Sequence, residues 1–125
     1  MAEVEVDVVT GGVTIVRYTV AHDCGRVINP MVVDGQVIGG VAHGIGNALF
    51  ERLLYDENAQ LLSGTFADYL LPLATDVPRV DMVHLETPSP LNPLGIKGAG
   101  EAGAIPGPAV LAEAIEDALA PFGLR

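Results

Sequence analysis

One carboxylate in a glycine-rich stretch is where this chain could do chemistry. Glu101 lies in Gly95-Ile96-Lys97-Gly98-Ala99-Gly100-Glu101-Ala102-Gly103, where four glycines fall in nine residues beside Lys97, the only lysine. Glycine lets a backbone adopt positive φ and lets another group come very close. A carboxylate crowded by Gly, Ala and Ile would be poorly solvated and could serve as a general base near neutrality. Lys97, if close, would oppose that. The same residues also suit a surface loop that merely carries a Glu.

Other chemistry-bearing residues are weaker. His22 and Cys24 are two apart, so on a strand they share a face as a base and a nucleophile would. A lone Cys beside Gly is equally a small buried hydrophobe. His22, Cys24, His43 and His84 show no recognised ligand spacing, so no metal site is expected from side chains. Gly39 to Gly46 lacks the spacing of a phosphate loop. Gln36 carries an amide that can hydrogen-bond a ligand in two senses.

The elements that must position these residues follow from periodicity. Residues 3–9 alternate Glu3, Glu5 and Asp7 with Val4, Val6 and Val8, which reads as a half-buried strand. Thr10-Gly11-Gly12 is a hairpin turn signal, and the β-branched run over 13–22 is the partner strand. Asn29-Pro30 starts a helix, with Asn as cap and Pro in the first turn. Its apolar pattern runs to Leu53 or Leu54. A nearly bare stripe, Gly35, Gly39, Ala42 and Gly46, runs along that helix. Each interior Gly costs roughly 1 kcal/mol against Ala, so the missing side chains must serve close approach. Either a flat ligand or a packed neighbour would account for it. Residues 61–73 read as irregular, 80–86 as a strand, 87–107 as a Pro- and Gly-rich loop, and 108–120 as an amphipathic helix.

Composition bounds the function. The 125 residues are half hydrophobic and of single-domain size, and the mix of elements makes the class α+β. A formal net charge of −10 argues against nucleic acid and anionic membrane surfaces as partners. No stretch approaches the ~20 apolar residues of a membrane span. One cysteine cannot form an internal disulfide, and the default compartment is the cytoplasm. The chain opens directly in a strand pattern, as a free-standing domain can, or as the tail of a longer protein does.

Several separated motifs together resemble one family. They are Ala21-His22-Asp23-Cys24-Gly25-Arg26-Val27-Ile28-Asn29-Pro30, then Asp34-Gly35-Gln36 through Gly46, Gly64-Thr65-Phe66-Ala67-Asp68-Tyr69-Leu70-Leu71-Pro72, Thr87-Pro88-Ser89-Pro90, and Gly95 to Glu101. In order and spacing the chain resembles the C-terminal segment of molybdenum hydroxylase large subunits. These are the xanthine dehydrogenase, aldehyde oxidoreductase and aerobic carbon monoxide dehydrogenase enzymes. The resemblance implies a piece of a larger molybdopterin-binding domain: an N-terminal β-hairpin, a long Gly-rich helix, further strands and a C-terminal helix. It implies a molybdopterin cofactor, often the cytosine dinucleotide form in bacteria, and Glu101 as the base in hydroxylation of aldehydes or N-heterocycles or in CO oxidation. It assigns Gly35 and Gln36 to the pyranopterin and lines the same site with Lys97, Gly98, Ala99 and Gly100. Electrons would leave through 2Fe-2S clusters to FAD on partner domains or subunits. Many relatives carry Gln where this chain has His43.

The resemblance also implies that the upstream part of the molybdopterin-binding subunit is a partner, since the family's other molybdenum-site loops lie there. An apolar face uncovered by its absence would favour a homo-oligomer. The alternative is a non-catalytic fragment or assembly piece, inactive alone. The small-molecule substrate is not readable from these residues, because the walls that select it lie upstream.

Overall fold

The computed structural model describes residues 1–123. Strand β1 (Ala2–Val6) and strand β2 (Val13–His22) form the expected hairpin, antiparallel, with a register shift between Glu3 and Val4. The first strand stops three residues short of the sequence expectation. The Asp7 carboxylate accepts the Val9 amide at 2.8 Å, and the Asp7 carbonyl accepts that of Gly11 at 2.7 Å, which bends the chain away. Gly11 sits at φ +74°, as the turn requires.

Helix α1 (Pro30–Leu49) begins where Asn29 and Pro30 predict, with the Asn29 side chain accepting the Val32 amide. It ends earlier than expected. The Gly46 carbonyl accepts both the Phe50 and Glu51 amides, at 3.0 and 2.8 Å, which closes the last turn. Leu53 and Leu54 therefore lie beyond the helix and are exposed. Glu51 folds back over Gly46 and accepts the Tyr69 hydroxyl at 2.5 Å. Residues 61–73 are irregular, as expected.

Strand β3 (Val80–His84) pairs with β2 in parallel, from Tyr18–Val80 to His22–His84. The three-stranded sheet has the order β1-β2-β3, and α1 lies in the β2-to-β3 connection. Helix α2 (Gly107–Leu119) packs on β1 and on α1. Tyr18, Val41, Ile45 and Leu111 form the buried core where sheet and helices meet. No helix among the described residues is long and apolar enough to cross a membrane.

Of the glycines in the stripe read from the sequence only Gly46 is closely packed, and the backbone contacts of α1 fall instead on Gly40 and Gly44. Gly40 and Gly44 of α1 face Gly103, Ala104 and Gly107; a Cβ on Gly40 would come within 2.9 Å of that backbone and one on Gly44 within 3.1 Å. A Cβ on Gly103 would collide with the Val37 carbonyl and come within 2.8 Å of the Val41 amide nitrogen. In the expected stripe, Gly35 and Gly39 face open space, and Gly46 faces Glu51 and Pro72. Which glycine a neighbour needs depends on where that neighbour's backbone runs, and helical spacing alone does not say.

The start of the 87–106 loop is riveted by Asp23. Its carboxylate accepts the Gly25 amide at 2.8 Å, the Thr87 amide at 3.2 Å, the Thr87 hydroxyl, and the Lys97 ammonium at 3.2 Å. The Lys97 amide donates to the Cys24 carbonyl at 2.7 Å, and that of Arg26 to the Gly95 carbonyl at 3.0 Å. Gly25 and Gly95 both hold positive φ at this crossing. The Thr87 hydroxyl foremost, then the Gly25 amide, hold the Asp23 carboxyl well below the usual carboxylate range.

Two stability predictions follow from these contacts. Gly103→Ala should destabilise by about 1–3 kcal/mol, because the obstructing atoms are backbone, while Gly98→Ala, which meets nothing, should change stability by less than about 0.5 kcal/mol. Urea midpoints of the two variants check this. Asp23 stabilises through its charged form, so its contribution is full above the ordinary aspartate pKa of about 4 and shrinks as pH falls below it. Asp23→Asn should therefore lower the urea midpoint at pH ~7, and its gap from the parent should narrow steadily below pH ~4.

Candidate functional site

Glu101 stands on a turn whose backbone is fixed on both sides. Its own carbonyl accepts the Ala104 and Ile105 amides, at 2.9 and 3.1 Å. Immediately before it, the Gly100 carbonyl accepts the Gln36 side-chain amide at 2.6 Å. Two residues after it, Gly103 seats against the backbone of α1. These contacts set the direction of the loop. The carboxylate itself is exposed and has no hydrogen-bond partner among the described residues. The crowding expected from its Gly, Ala and Ile neighbours is thus absent, because those small side chains leave Glu101 open.

Lys97 does not reach toward Glu101. Its ammonium is held by Asp23 and by the Thr87 hydroxyl, so it serves to anchor the loop. Its backbone amide is likewise engaged, by Cys24. The amides of Gly98, Ala99, Gly100 and Glu101, by contrast, donate to no group among the described residues. Added Cβ atoms on Gly98 and Gly100, or on Gly35 and Gly39 of α1, would meet nothing within 4 Å. Helix and loop, joined by the Gln36–Gly100 hydrogen bond, therefore present backbone free of side chains and a row of open donors. A flat group with polar edges fits such a surface.

A cavity of about 240 Å³ lies beside the same loop, with Cys24, Ile28, Val32, Ile96 and Ala99 among its walls and Arg26 joining them. Cys24 is 4% exposed and packs as a small hydrophobe. A larger apolar cavity of about 320 Å³, between Leu53, Leu61, Phe66 and Tyr69, shares no wall residue with this region. His43 is exposed on α1.

Sequence reasoning missed two polar groupings. Asp23, Thr87 and Lys97 each stood in a quoted motif, but nothing local indicates that they meet. His84 and Asp34 are 2.7 Å apart and tie β3 to α1. Their only signal was an acidic residue in the second turn of a helix and a histidine at a strand end.

Comparison with known proteins bears on this arrangement. A model of the molybdopterin cofactor-binding domain matches residues 1–78. The chain is 46% identical to the nicotine 6-hydroxylase large subunit of Paenarthrobacter nicotinovorans, over 96% of this chain and 15% of that protein. It is 37% identical to the carbon monoxide dehydrogenase large chain of Afipia carboxidovorans, over 93% of this chain and 14% of that one. Among solved structures, quinoline 2-oxidoreductase from Pseudomonas putida 86 superposes with a TM-score of 0.93 at 47% identity, over 96% of this chain and 15% of that chain. The chain thus spans about 15% of the length of such relatives. It belongs to the molybdopterin cofactor-binding domain family of molybdenum hydroxylase large subunits, and corresponds to one piece of them.

Proposed function

We propose that this chain forms one wall of a molybdenum hydroxylase active site, with Glu101 as the general base, and that the substrate is an N-heteroaromatic ring. The observation that carries the reading is the Gln36–Gly100 hydrogen bond. It joins the open face of α1 to the loop that bears an unpaired carboxylate. The molybdenum pyranopterin, when bound, supplies the oxygen to be transferred and takes up the electron pair from the substrate. Gly98, Ala99 and Gly100 would hold its polar edges through their open amides, Gly35 would let it approach α1, and the Gln36 side chain, bonded to Gly100, would offer its remaining amide groups. Lys97 contributes by anchoring the loop, its ammonium bonded to Asp23 and the Thr87 hydroxyl, and not by pairing with Glu101.

Glu101 accepts the proton of the attacking hydroxyl on its carboxylate. Its exposure in this chain leaves it open to such a partner, and burial by the rest of the subunit would exclude competing water. The substrate class is supported by similarity. Relatives named for nicotine and quinoline, both of which contain a pyridine-type ring, share 46–47% identity, against 37% for the carbon monoxide enzyme. The upstream part of the subunit supplies the remaining walls, and iron–sulfur and FAD subunits carry electrons onward.

In the enzyme assembled from this chain and the rest of its subunit, Glu101→Gln should lower kcat by roughly 10²-fold or more with N-heteroaromatic substrates, because it removes the proton acceptor without changing its shape. Molybdenum and pterin content should stay at the parent level. Unchanged turnover would remove Glu101 from the mechanism, and a loss of cofactor would reassign it to binding.

A further inference from the structure

The irregular stretch that follows α1 is apolar on its outside. Nine large apolar side chains between Leu53 and Leu73 are exposed, Phe66 at 80%. Single exposed side chains of this kind are ordinary, but such a concentration marks a surface that another body covers. Leu53, Leu61, Phe66 and Tyr69 stand together as walls of the cavity of about 320 Å³. The first three are exposed, so the cavity opens on the surface.

The face is held from within. The Leu62 amide donates to the Leu54 carbonyl at 2.7 Å, and the Leu54 amide to the Ser63 hydroxyl at 3.0 Å. The Asp56 carboxylate gathers the amides of Asn58 and Gln60, at 2.9 and 2.8 Å. The Thr65 carbonyl accepts the Asp68 and Tyr69 amides, and the Tyr69 hydroxyl donates to Glu51. With these bonds made locally, the shape of the face is set before anything covers it, which lowers the cost of docking.

Charge decides what the cover is. Residues 51–76 carry Glu51, Asp56, Glu57, Asp68 and Asp76 against Arg52 alone. In a two-fold pair of this chain the patch would meet itself, acidic rim on acidic rim, between chains of net charge −10 each. An anionic lipid surface meets the same repulsion. The rest of the subunit carries no such bar. This chain spans about 15% of the length of its relatives, and the stretch lies within residues 1–78, which match the cofactor-binding domain. The face thus belongs to the shared domain, in proteins most of whose length lies outside the matched region.

We propose that the face around Leu53, Leu61 and Phe66 is the docking surface for the upstream part of the same subunit. That part seats an apolar side chain in the cavity and sets lysine or arginine side chains against Glu57 and Asp68. The cavity shares no wall residue with the one beside the Glu101 loop, so this docking holds the piece in place without lining the reaction site. It rests on the reading of this chain as one piece of a larger subunit and is independent of the role of Glu101.

The test uses the enzyme assembled from this chain and the rest of its subunit. With p-benzoylphenylalanine in place of Phe66, illumination should join residue 66 to a peptide of the upstream part, identified by mass spectrometry. Joining only to a second copy of this chain, joining only to an iron–sulfur or FAD subunit, or no joining at all overturns the proposal. Phe66→Ser gives a second readout. Because Phe66 is 80% exposed in this chain, its loss removes little packing here. The melting temperature of the assembled enzyme should nevertheless fall by about 2 °C or more, with kcat within about twofold of the parent. An unchanged melting temperature overturns the docking. Full turnover in Glu101→Gln would remove the proposed base and leave the joined peptides as they are, so the two failures are distinguishable.

Discussion

The structure depends on one backbone-to-backbone contact, that of Gly103 with the Val37–Val41 turn of helix α1. Two main chains approach this closely where no Cβ stands between them, and Gly40 and Gly44 on α1, with Gly103 and Gly107 opposite, leave that space. The contact does two jobs. It brings α2 onto α1, so that Leu111 can join Tyr18, Val41 and Ile45 in the core. It also holds the end of the glycine-rich loop, so that Glu101, two residues earlier, has a defined position without any bond to its own side chain. The catalytic candidate is positioned through its backbone, and its carboxylate is left free.

The remaining polar contacts serve the same loop from other directions. Asp23 and Thr87 hold Lys97 at its start, and Gln36 holds Gly100 in its middle. Charge-assisted bonds to Asp23 suit the first task, since one carboxylate can gather two amides, a hydroxyl and an ammonium. The amides from Gly98 to Glu101 take no part in any of this. The loop is thus rigid at its anchors and unsatisfied along one edge, a combination that suits a site completed by another body.

Local signals were enough for the local elements. The alternation of Val and acidic residues, the Thr10-Gly11-Gly12 turn and the Asn29 cap all act within a few residues; the hairpin and the cap matched the structure, with the first strand ending at Val6 and not at Val9. The end of α1 was not legible, because it depends on the Gly46 carbonyl taking two amides where the pattern would have continued. The glycine stripe did not show which glycines of α1 take the packing, since Gly40 and Gly44 matter only once the path of residues 103–107 is known. The family motifs named residues that meet where helix and loop are joined, Gln36 and Gly100, but gave nothing of their roles in the fold. Nothing near Lys97 announces that Asp23, far away in sequence, will claim its charge. The link between His84 and Asp34 arises only when β3 lies down beside β2.

That parallel pairing also bears on how the chain acquires its shape. A hairpin such as β1–β2 can form within microseconds from neighbouring residues, whereas β3 pairs with β2 across the whole of α1 and the irregular stretch after it, a closure of far greater sequence separation. The loop bearing Glu101 lies beyond β3, and its last anchor is the helix that closes over β1. That loop is complete only when its bonds to Asp23 and Gln36, 74 and 64 residues away in sequence, have formed. Until then, a half-folded chain exposes the side of β2 that β3 will cover, an open template to which any extended segment nearby can add.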